Sequence, residues 1–382
     1  MLVLDALWWW LLARQTDNAL ARAVLGIFMG AQIICLIVLV VTRLTRSGWH
    51  GLFPKWAAAA LFIWHFLGLG LFTLIGLGLV PVLLVAQIAR HHPAPVESQD
   101  RHVWTRREFL GFGAAVAPPL FTFGLTAIAL TQLSSFRVRR FTIKINGLPA
   151  ALDGLTVAQV SDMHVGRFTS GRVLDKMVAS VNALKADLVL LTGDLINDAL
   201  VHLDHGLELV RRMQSQFGAF LIEGNHDLIE DPAEFERRVK ASGIPFLLDE
   251  STIVNVRDTP IQLLGLSWTR AEQNRDAAIG AAVGKLLQQR QSDAFPILLA
   301  HHPHAFDAAA EAQMPLTLSG HTHGGQLMLN EQLGFGPALF RYWSGLYEIG
   351  SSKLVVSNGV GNWFPLRVNA PAEIVHITLR RE

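Results

Sequence analysis

Residues 186–194 read ADLVLLTGD, a short aliphatic run that ends on Gly193 and Asp194. A run of this length, bounded by turn-forming residues, reads as a buried β-strand that delivers an acidic side chain at its carboxyl end. Five other stretches have the same form: LTVAQVSD (155–162), GAFLIEGNHD (218–227), FPILLAHHP (295–303), PLTLSGHTHG (315–324) and KLVVSNGVG (353–361). Between the strands at 155–162 and 186–194, Val173, Met177, Val178, Val181 and Leu184 recur at helical spacing, which predicts a β-α-β crossover. Open α/β sheets bind ligands beyond the carboxyl ends of their strands. That is where the polar residues accumulate.

Those residues are Asp162 and His164 in SDMH, Asp194 in TGDL, Asn225 and His226 in GNHD, His301 in LLAHHP, and His321 and His323 in SGHTHGG. A single Asp at a strand end is ordinarily a turn former or helix cap, and a single His is ordinarily hydrogen-bonded structure. Five strand ends in one fold form a different case, with enough oxygen and nitrogen ligands for two ions, and a carboxylate such as Asp194 can bridge both. His321 and His323 lie one residue apart in a glycine run that permits close backbone approach.

The chain has 382 residues, 51% hydrophobic and 16% charged, which is too apolar for a soluble protein of this length. The excess lies at the front. Residues 23–41, 56–88 and 109–133 contain no Asp, Glu, Lys or Arg, and each is long enough to cross a bilayer as a helix. The second, with Pro81 and many glycines, reads as one tilted helix, a broken one or a tight pair. The opening MLVLDALWWWLLA is shorter than a span and is expected at the membrane interface. The expected organisation is a membrane domain over 1–135 with about three transmembrane helices, a linker within it at 91–104, and a globular domain over 136–382.

The formal net charge is +1, so neither nucleic acid nor an acidic partner is indicated. The only cysteine, Cys35, lies in the first apolar segment, which excludes an intrachain disulfide and a thiolate metal site. The apolar segments carry no Asp, Glu, Lys or Arg to line a transport pathway.

The ordered set D-x-H, G-D, G-N-H-D, H, G-H-x-H resembles the calcineurin-like binuclear metallophosphoesterases. The apolar front, TRREFL, LDGLTVAQVSDMHVG and GHTHGGQ are similar to the membrane-associated branch with the YaeI- and YkuE-type phosphodiesterases. The UDP-2,3-diacylglucosamine hydrolase looks like a member of that branch too. The resemblance implies a four-layer α/β/β/α sandwich preceded by transmembrane helices. It implies two divalent metal ions (Mn, Fe or Zn), one held by Asp162, His164 and His323, the other by Asn225, His301 and His321, with Asp194 bridging. His301 is preferred to His302 as the ligand because it is the first polar residue after PILLA. In this reading a metal-bridging hydroxide attacks phosphorus in line, His226 serves as acid or phosphate contact, and Asp227 orients the ring of His226 or caps a turn. The family pattern G-D-x-x-D is altered here, where GDLIN places Asn197 at the last position.

The expected activity is that of a metal-dependent phosphodiesterase or pyrophosphatase in a bacterial inner membrane, with a lipid or lipid-linked substrate such as UDP-2,3-diacylglucosamine. An exported phosphodiesterase for soluble substrates and a metal-ordered sensor domain are the alternatives. TRREFLGF resembles a twin-arginine export signal and favours an extracytoplasmic catalytic domain, although cationic residues are balanced on the two sides of the third apolar segment. Arg367, in GVGNWFPLR, reads equally as a surface residue or as a phosphate contact.

Overall fold

The computed structural model describes residues 1–44, 54–88, 104–269 and 274–382, so most of the expected linker lies outside the described residues. The chain forms two compact units, Met1–Leu130 and Thr131–Glu382. The first contains helices α1 (Leu2–Ala13), α2 (Ala19–Leu44), α3 (Lys55–Ile63), α4 (Leu69–Ile88) and most of α5 (Arg106–Gln132). Three stretches, Ala19–Thr42, Lys55–Gly78 and Glu108–Gln132, are long and apolar enough to cross a membrane.

The second stretch is a single helical run in which α3 passes into α4 through one π-helical turn, Trp64–Gly68. A side chain at Gly68 would collide with the Trp64 ring, 2.6 Å from an added Cβ, so glycine permits that turn. Helix α1 packs on this run. The buried Asp5 carboxylate accepts from Trp64 Nε1 at 2.8 Å and faces His65 Nε2 at 3.0 Å, while Trp8 Nε1 donates to Thr73 Oγ1 at 3.0 Å. An ionisable pair therefore does lie among the apolar helices, brought together across 60 residues.

Among its described residues the second unit has eleven strands and six α-helices, plus the last two residues of α5. In chain order these are β1 (Arg137–Ile145), β2 (Thr156–Val160), α6 (Arg172–Leu184), β3 (Leu188–Thr192), α7 (Leu203–Arg212), β4 (Ala219–Ile222), α8 (Pro232–Ala241), β5 (Glu250–Val256), β6 (Thr259–Leu266), α9 (Arg275–Leu287), β7 (Phe295–Ala300), α10 (Ala305–Glu311), β8 (Leu316–Ser319), α11 (Phe335–Leu339), β9 (Gly345–Ile349), β10 (Ser352–Val356) and β11 (Glu373–Arg381). The strands form two sheets, β1-β11-β2-β3-β4 and β5-β6-β7-β8-β10-β9.

Side-chain alternation makes the layers. Leu188 and Leu190 of β3 face a core shared with Leu263, Ile297 and Leu318 of the other sheet, whereas Val189 and Leu191 face Met177, Val181, Leu207 and Phe235 of α6, α7 and α8. On the far side Leu264, Leu298 and Val356 pack on Ile279, Val283 and Phe306 of α9 and α10. Three cores between four layers form the expected α/β/β/α sandwich. Leu190 is fully buried in the central core, and Leu190→Ala would cost about 2–5 kcal/mol. The six strands expected from sequence are all present. Strands β1, β5, β6, β9 and β11 were not anticipated.

Strands β2, β3 and β4 are mutually parallel neighbours, as are β7 and β8. Within each sheet their carboxyl ends therefore share one edge. The packing of the sheets face to face brings the two sets of loops to one place.

Candidate metal centre

Each strand end contributes one short segment: Asp162 and His164 after β2, Asp194 after β3, Asn225 to Asp227 after β4, His301 after β7, and His321 and His323 after β8. Their backbones are unusual. Asp162, His164, Asp194, His321 and His323 have φ of 54°, 45°, 56°, 72° and 50°, the left-handed region that non-glycine residues seldom adopt. Such conformations cost of order 1–3 kcal/mol each and persist only where the surroundings enforce them. Two glycines supply the space. A Cβ on Gly224 would lie 2.7 Å from Asp194 Cγ, and one on Gly359 would lie 2.6 Å from Asp162 Cβ.

The polar atoms converge on two foci. At the first, His164 Nε2 and His323 Nε2 stand 3.0 Å apart, and Asp162 Oδ1 lies 3.2 Å from His323 Nε2 and 3.8 Å from His164 Nε2. At the second, His301 Nε2 lies 3.2 Å from Asp194 Oδ2, and His321 Nδ1 lies 2.8 Å from Asn225 Oδ1. Asp194 stands between the foci, its Oδ2 also 3.5 Å from His164 Nε2. Asp162, His164, Asp194, His301 and His323 are buried, and Asn225, His226 and His321 are half-buried.

Ring orientations are set from behind. His301 Nδ1 meets the Thr192 carbonyl oxygen at 2.6 Å and must donate to it, which turns Nε2 toward the carboxylates. His226 Nδ1 donates likewise to the Asn197 carbonyl at 2.6 Å, leaving Nε2 with the cluster of His164 and Asp194. The altered family position thus contributes its main-chain oxygen, for which the side chain is immaterial. The ring of His226 is held there and not by Asp227. Asp227 instead accepts from the amides of Ile196 and Gly224, each at 2.9 Å, and ties the GDLI and GNHD loops together.

Charge inside this buried site is balanced between acids and imidazoles. Burial opposes ionisation of Asp162 and Asp194, yet the surrounding histidines hold both carboxyls below the usual range. Burial likewise opposes protonation of His301, but Asp194 and Asp162 prevail and raise it to about 10. Burial depresses His323 to about 3, where Arg367 adds to the effect, and it depresses His321. Burial and the adjacent charge of Asp194 push Asp227 well above the usual carboxylate range.

These donors fit divalent cations. They are carboxylate and amide oxygens and imidazole nitrogens, the set that suits Mn, Fe or Zn. The buried His301 Nε2 has no hydrogen-bond partner, although buried polar atoms nearly always do. Two imidazole nitrogens 3.0 Å apart beside a carboxylate oxygen form the arrangement a cation would close. Asp162, His164 and His323 would hold one ion, and Asn225, His301 and His321 the other, with Asp194 reaching both.

Sequence reasoning misplaced Arg367. It is buried; its guanidinium donates to the carbonyls of Asn358 and Gly361 at 2.8 and 2.6 Å and lies 2.7 Å from His323 Nδ1. It backs the His323 ring and is neither a surface residue nor a free phosphate contact. The neighbouring glycines were the available signal, because they bring bare carbonyls close enough to surround a cation. His302, beside His301, is also buried and pushed down to about 3 by burial and then by His304. Two half-buried tryptophans were not anticipated, Trp268 with its ring 5.0 Å from His321 and Trp363 with its ring 5.9 Å from His226.

Residues 155–325 match the family described as calcineurin-like phosphoesterase. The metallophosphoesterase YkuE of Bacillus subtilis is 30% identical over 290 residues, 72% of this chain and 98% of its own length. A transmembrane protein with metallophosphoesterase domain from Danio rerio is 32% identical over 248 residues, 63% of this chain. A Helicobacter pylori metallophosphoesterase is 30% identical over 243 residues, 62% of this chain. The alignments span 56% of the Danio and 64% of the Helicobacter protein. Among solved structures, a dimetal phosphatase from Danio rerio is 10% identical over 58% of this chain and 91% of its own, at a TM-score of 0.33, too distant to argue from. The chain belongs to the calcineurin-like metallophosphoesterases and is a metal-dependent phosphoester hydrolase preceded by helices apolar enough to span a membrane.

Proposed function

We propose that the protein is a membrane-anchored, binuclear phosphodiesterase or pyrophosphatase acting on a lipid-linked phosphoester. The observation that carries the binuclear reading is the pair of foci joined by the Asp194 carboxylate, with five of the converging residues in left-handed backbone. When bound, two divalent ions would lower the pKa of water toward neutrality and neutralise the non-bridging oxygens of the phosphate. The residues of the chain do the rest. Asp162, His164 and His323 would hold one ion and Asn225, His301 and His321 the other, with Asp194 within reach of both. His226, with Nδ1 tied to Asn197, presents Nε2 to donate to the leaving oxygen.

The lipid-linked substrate is supported by the tether. A catalytic unit joined to the last apolar helix meets bilayer-resident phosphoesters at high effective concentration. TRREFLGF supports a bacterial inner membrane with the catalytic unit on the extracytoplasmic face. Release of UMP from UDP-2,3-diacylglucosamine would instead assign the cytoplasmic face, where that precursor is expected.

The test uses full-length protein purified in detergent and loaded with Mn. It is incubated with a membrane lipid extract, UDP-2,3-diacylglucosamine or a soluble phosphodiester, and products are identified by mass spectrometry. A lipid phosphate as product, absent with Asp194→Ala together with the bound metal, is the expected result. Cleavage of the soluble diester alone would overturn the lipid reading.

A further inference from the structure

Nine large apolar side chains are exposed on the catalytic unit among the described residues, and five of them lie in two adjoining segments. These are Leu329, Leu333, Phe335 and Leu339 in the segment 327–343, and Val368, which forms an isolated β-bridge with Leu327 beside it. Leu329 and Leu339 are 75% and 66% exposed. The segment is built rather than loose. Leu329 N donates to Leu333 O at 2.8 Å, Asn369 Nδ2 donates to the carbonyls of Met328 and Leu329 at 3.0 Å, and α11 occupies 335–339. A rigid segment that holds leucines and a phenylalanine in water marks a surface with a partner.

Both ends of the segment are tied to the point where the chain enters this unit. At one end Arg367 N donates to Oε1 of Gln132, the last residue of α5, at 3.0 Å, while Val368 bridges Gln326 and Met328 through main-chain hydrogen bonds of 2.9 and 3.0 Å. At the other end Arg139 of β1 donates to Ser344 Oγ at 3.1 Å. Gln132 also ends the third stretch apolar enough to span a membrane. The segment thus begins about two strand spacings, or ~10 Å, from the end of that helix. A helix end at the hydrocarbon boundary puts such a segment at headgroup depth, where leucine and phenylalanine partition favourably.

We infer that residues 327–343 dock on the bilayer, inserting Leu329, Leu333, Phe335 and Leu339 below the headgroups beside the metal centre. The segment begins four positions after His323, and Phe340 places its ring 5.6 Å from that of His321. Docking therefore aligns the mouth of the site with the membrane surface, so a phosphoester reaches the ligands while its apolar tail stays in the lipid. This consequence rests on the lipid-linked reading above, whereas docking itself does not.

The test places single cysteines at Leu333 or Leu339 in full-length Cys35→Ser protein, with Ile253 on β5, at the opposite edge of its sheet from β9, as the control. Each is labelled with an environment-sensitive fluorophore and reconstituted in phosphatidylcholine–phosphatidylglycerol vesicles carrying nitroxide lipids. Strong quenching at 333 and 339 and none at 253 is expected. Quenching no greater than at 253 would overturn the inference, as would shielding that persists in detergent and grows with protein concentration, the mark of contact between copies.

A second variant, with Leu329, Leu333, Phe335 and Leu339 all replaced by Ser, tests the consequence. Metal content and hydrolysis of a soluble diester should be retained, while turnover of vesicle-borne substrate falls at least roughly tenfold. Quenching with no lipid turnover would leave docking standing and overturn the proposed substrate. Lipid turnover without quenching would do the reverse.

Discussion

Two clusters of buried ionisable groups, one in each unit, solve the same physical problem in opposite ways. In the helical unit Asp5, Trp64 and His65 satisfy one another: the carboxylate takes the indole N–H and faces one ring nitrogen, while the other ring nitrogen lies 2.9 Å from the Leu61 carbonyl. Every residue of the trio lies within an ordinary helix or π turn. At the metal centre imidazole nitrogens face each other and face carboxylates, the buried His301 Nε2 lacks a partner, and five backbones are left-handed. A saturated cluster on relaxed backbone is a structural joint. An unsaturated cluster on strained backbone is arranged around something else, here the cations its family uses.

The contrast breaks most readily at Gly224. Its hydrogen is all that fits against Asp194, so Gly224→Ala should displace that carboxylate and remove turnover and bound metal together. Full metal content by plasma emission analysis in a folded Gly224→Ala protein would show that the foci do not depend on that contact. His226→Ala separates chemistry from binding. Metal should remain while kcat falls by about 10²–10⁴, the usual range for a lost proton donor. An unchanged kcat would remove His226 from the reaction.

How much of this was legible depends on the distance over which residues had to be read. Asp162, His164, Asp194, His301, His321 and His323 each follow an aliphatic run directly, so strand and ligand were visible together in a few residues. Strands β1 and β11 were missed because RVRRFTIKI and EIVHITLRR mix charge into both faces, and their pairing joins the two ends of the unit. Left-handed φ at Asp and His leaves no mark in a single sequence. Asp5 and His65 are unremarkable apart, since only packing brings α1 onto the second apolar run. Arg367 misled because burial of an arginine is rare unless carbonyls surround it, and those came from loops folded back around it.

Arg367 offers a finer test at the unsaturated cluster. Arg367→Lys keeps the charge but loses the fork that backs His323, and metal affinity measured against a competing chelator should weaken about 10–100-fold. An unchanged affinity would reduce Arg367 to packing. Acid should act through His301. Its folded value is raised to about 10, so without metal it keeps its proton at neutral pH, whereas ligation needs the lone pair. The sign follows: cations bind more weakly as pH falls, with the affinity at that focus changing about tenfold per pH unit below 10. Calorimetry in buffers of different ionisation enthalpy should detect the released proton. Binding without proton release would contradict the assignment of His301 as a ligand.

The smallest effect is expected at the saturated cluster. Asp5→Leu leaves the Trp64 N–H and one ring nitrogen of His65 without partners in an apolar surrounding, at a cost of about 1–3 kcal/mol. Asp5→Asn keeps a carbonyl oxygen for the indole and should lose less. Both should lower the unfolding temperature of the full chain in detergent while metal content and kcat stay at the parental value, because a self-satisfied trio asks for no ligand and contributes no group to the reaction. Loss of turnover in a folded, metal-replete Asp5→Leu protein would defeat that account. The trio would then be a coupled element of the enzyme, and saturation of hydrogen bonds would no longer suffice to tell a joint from a site.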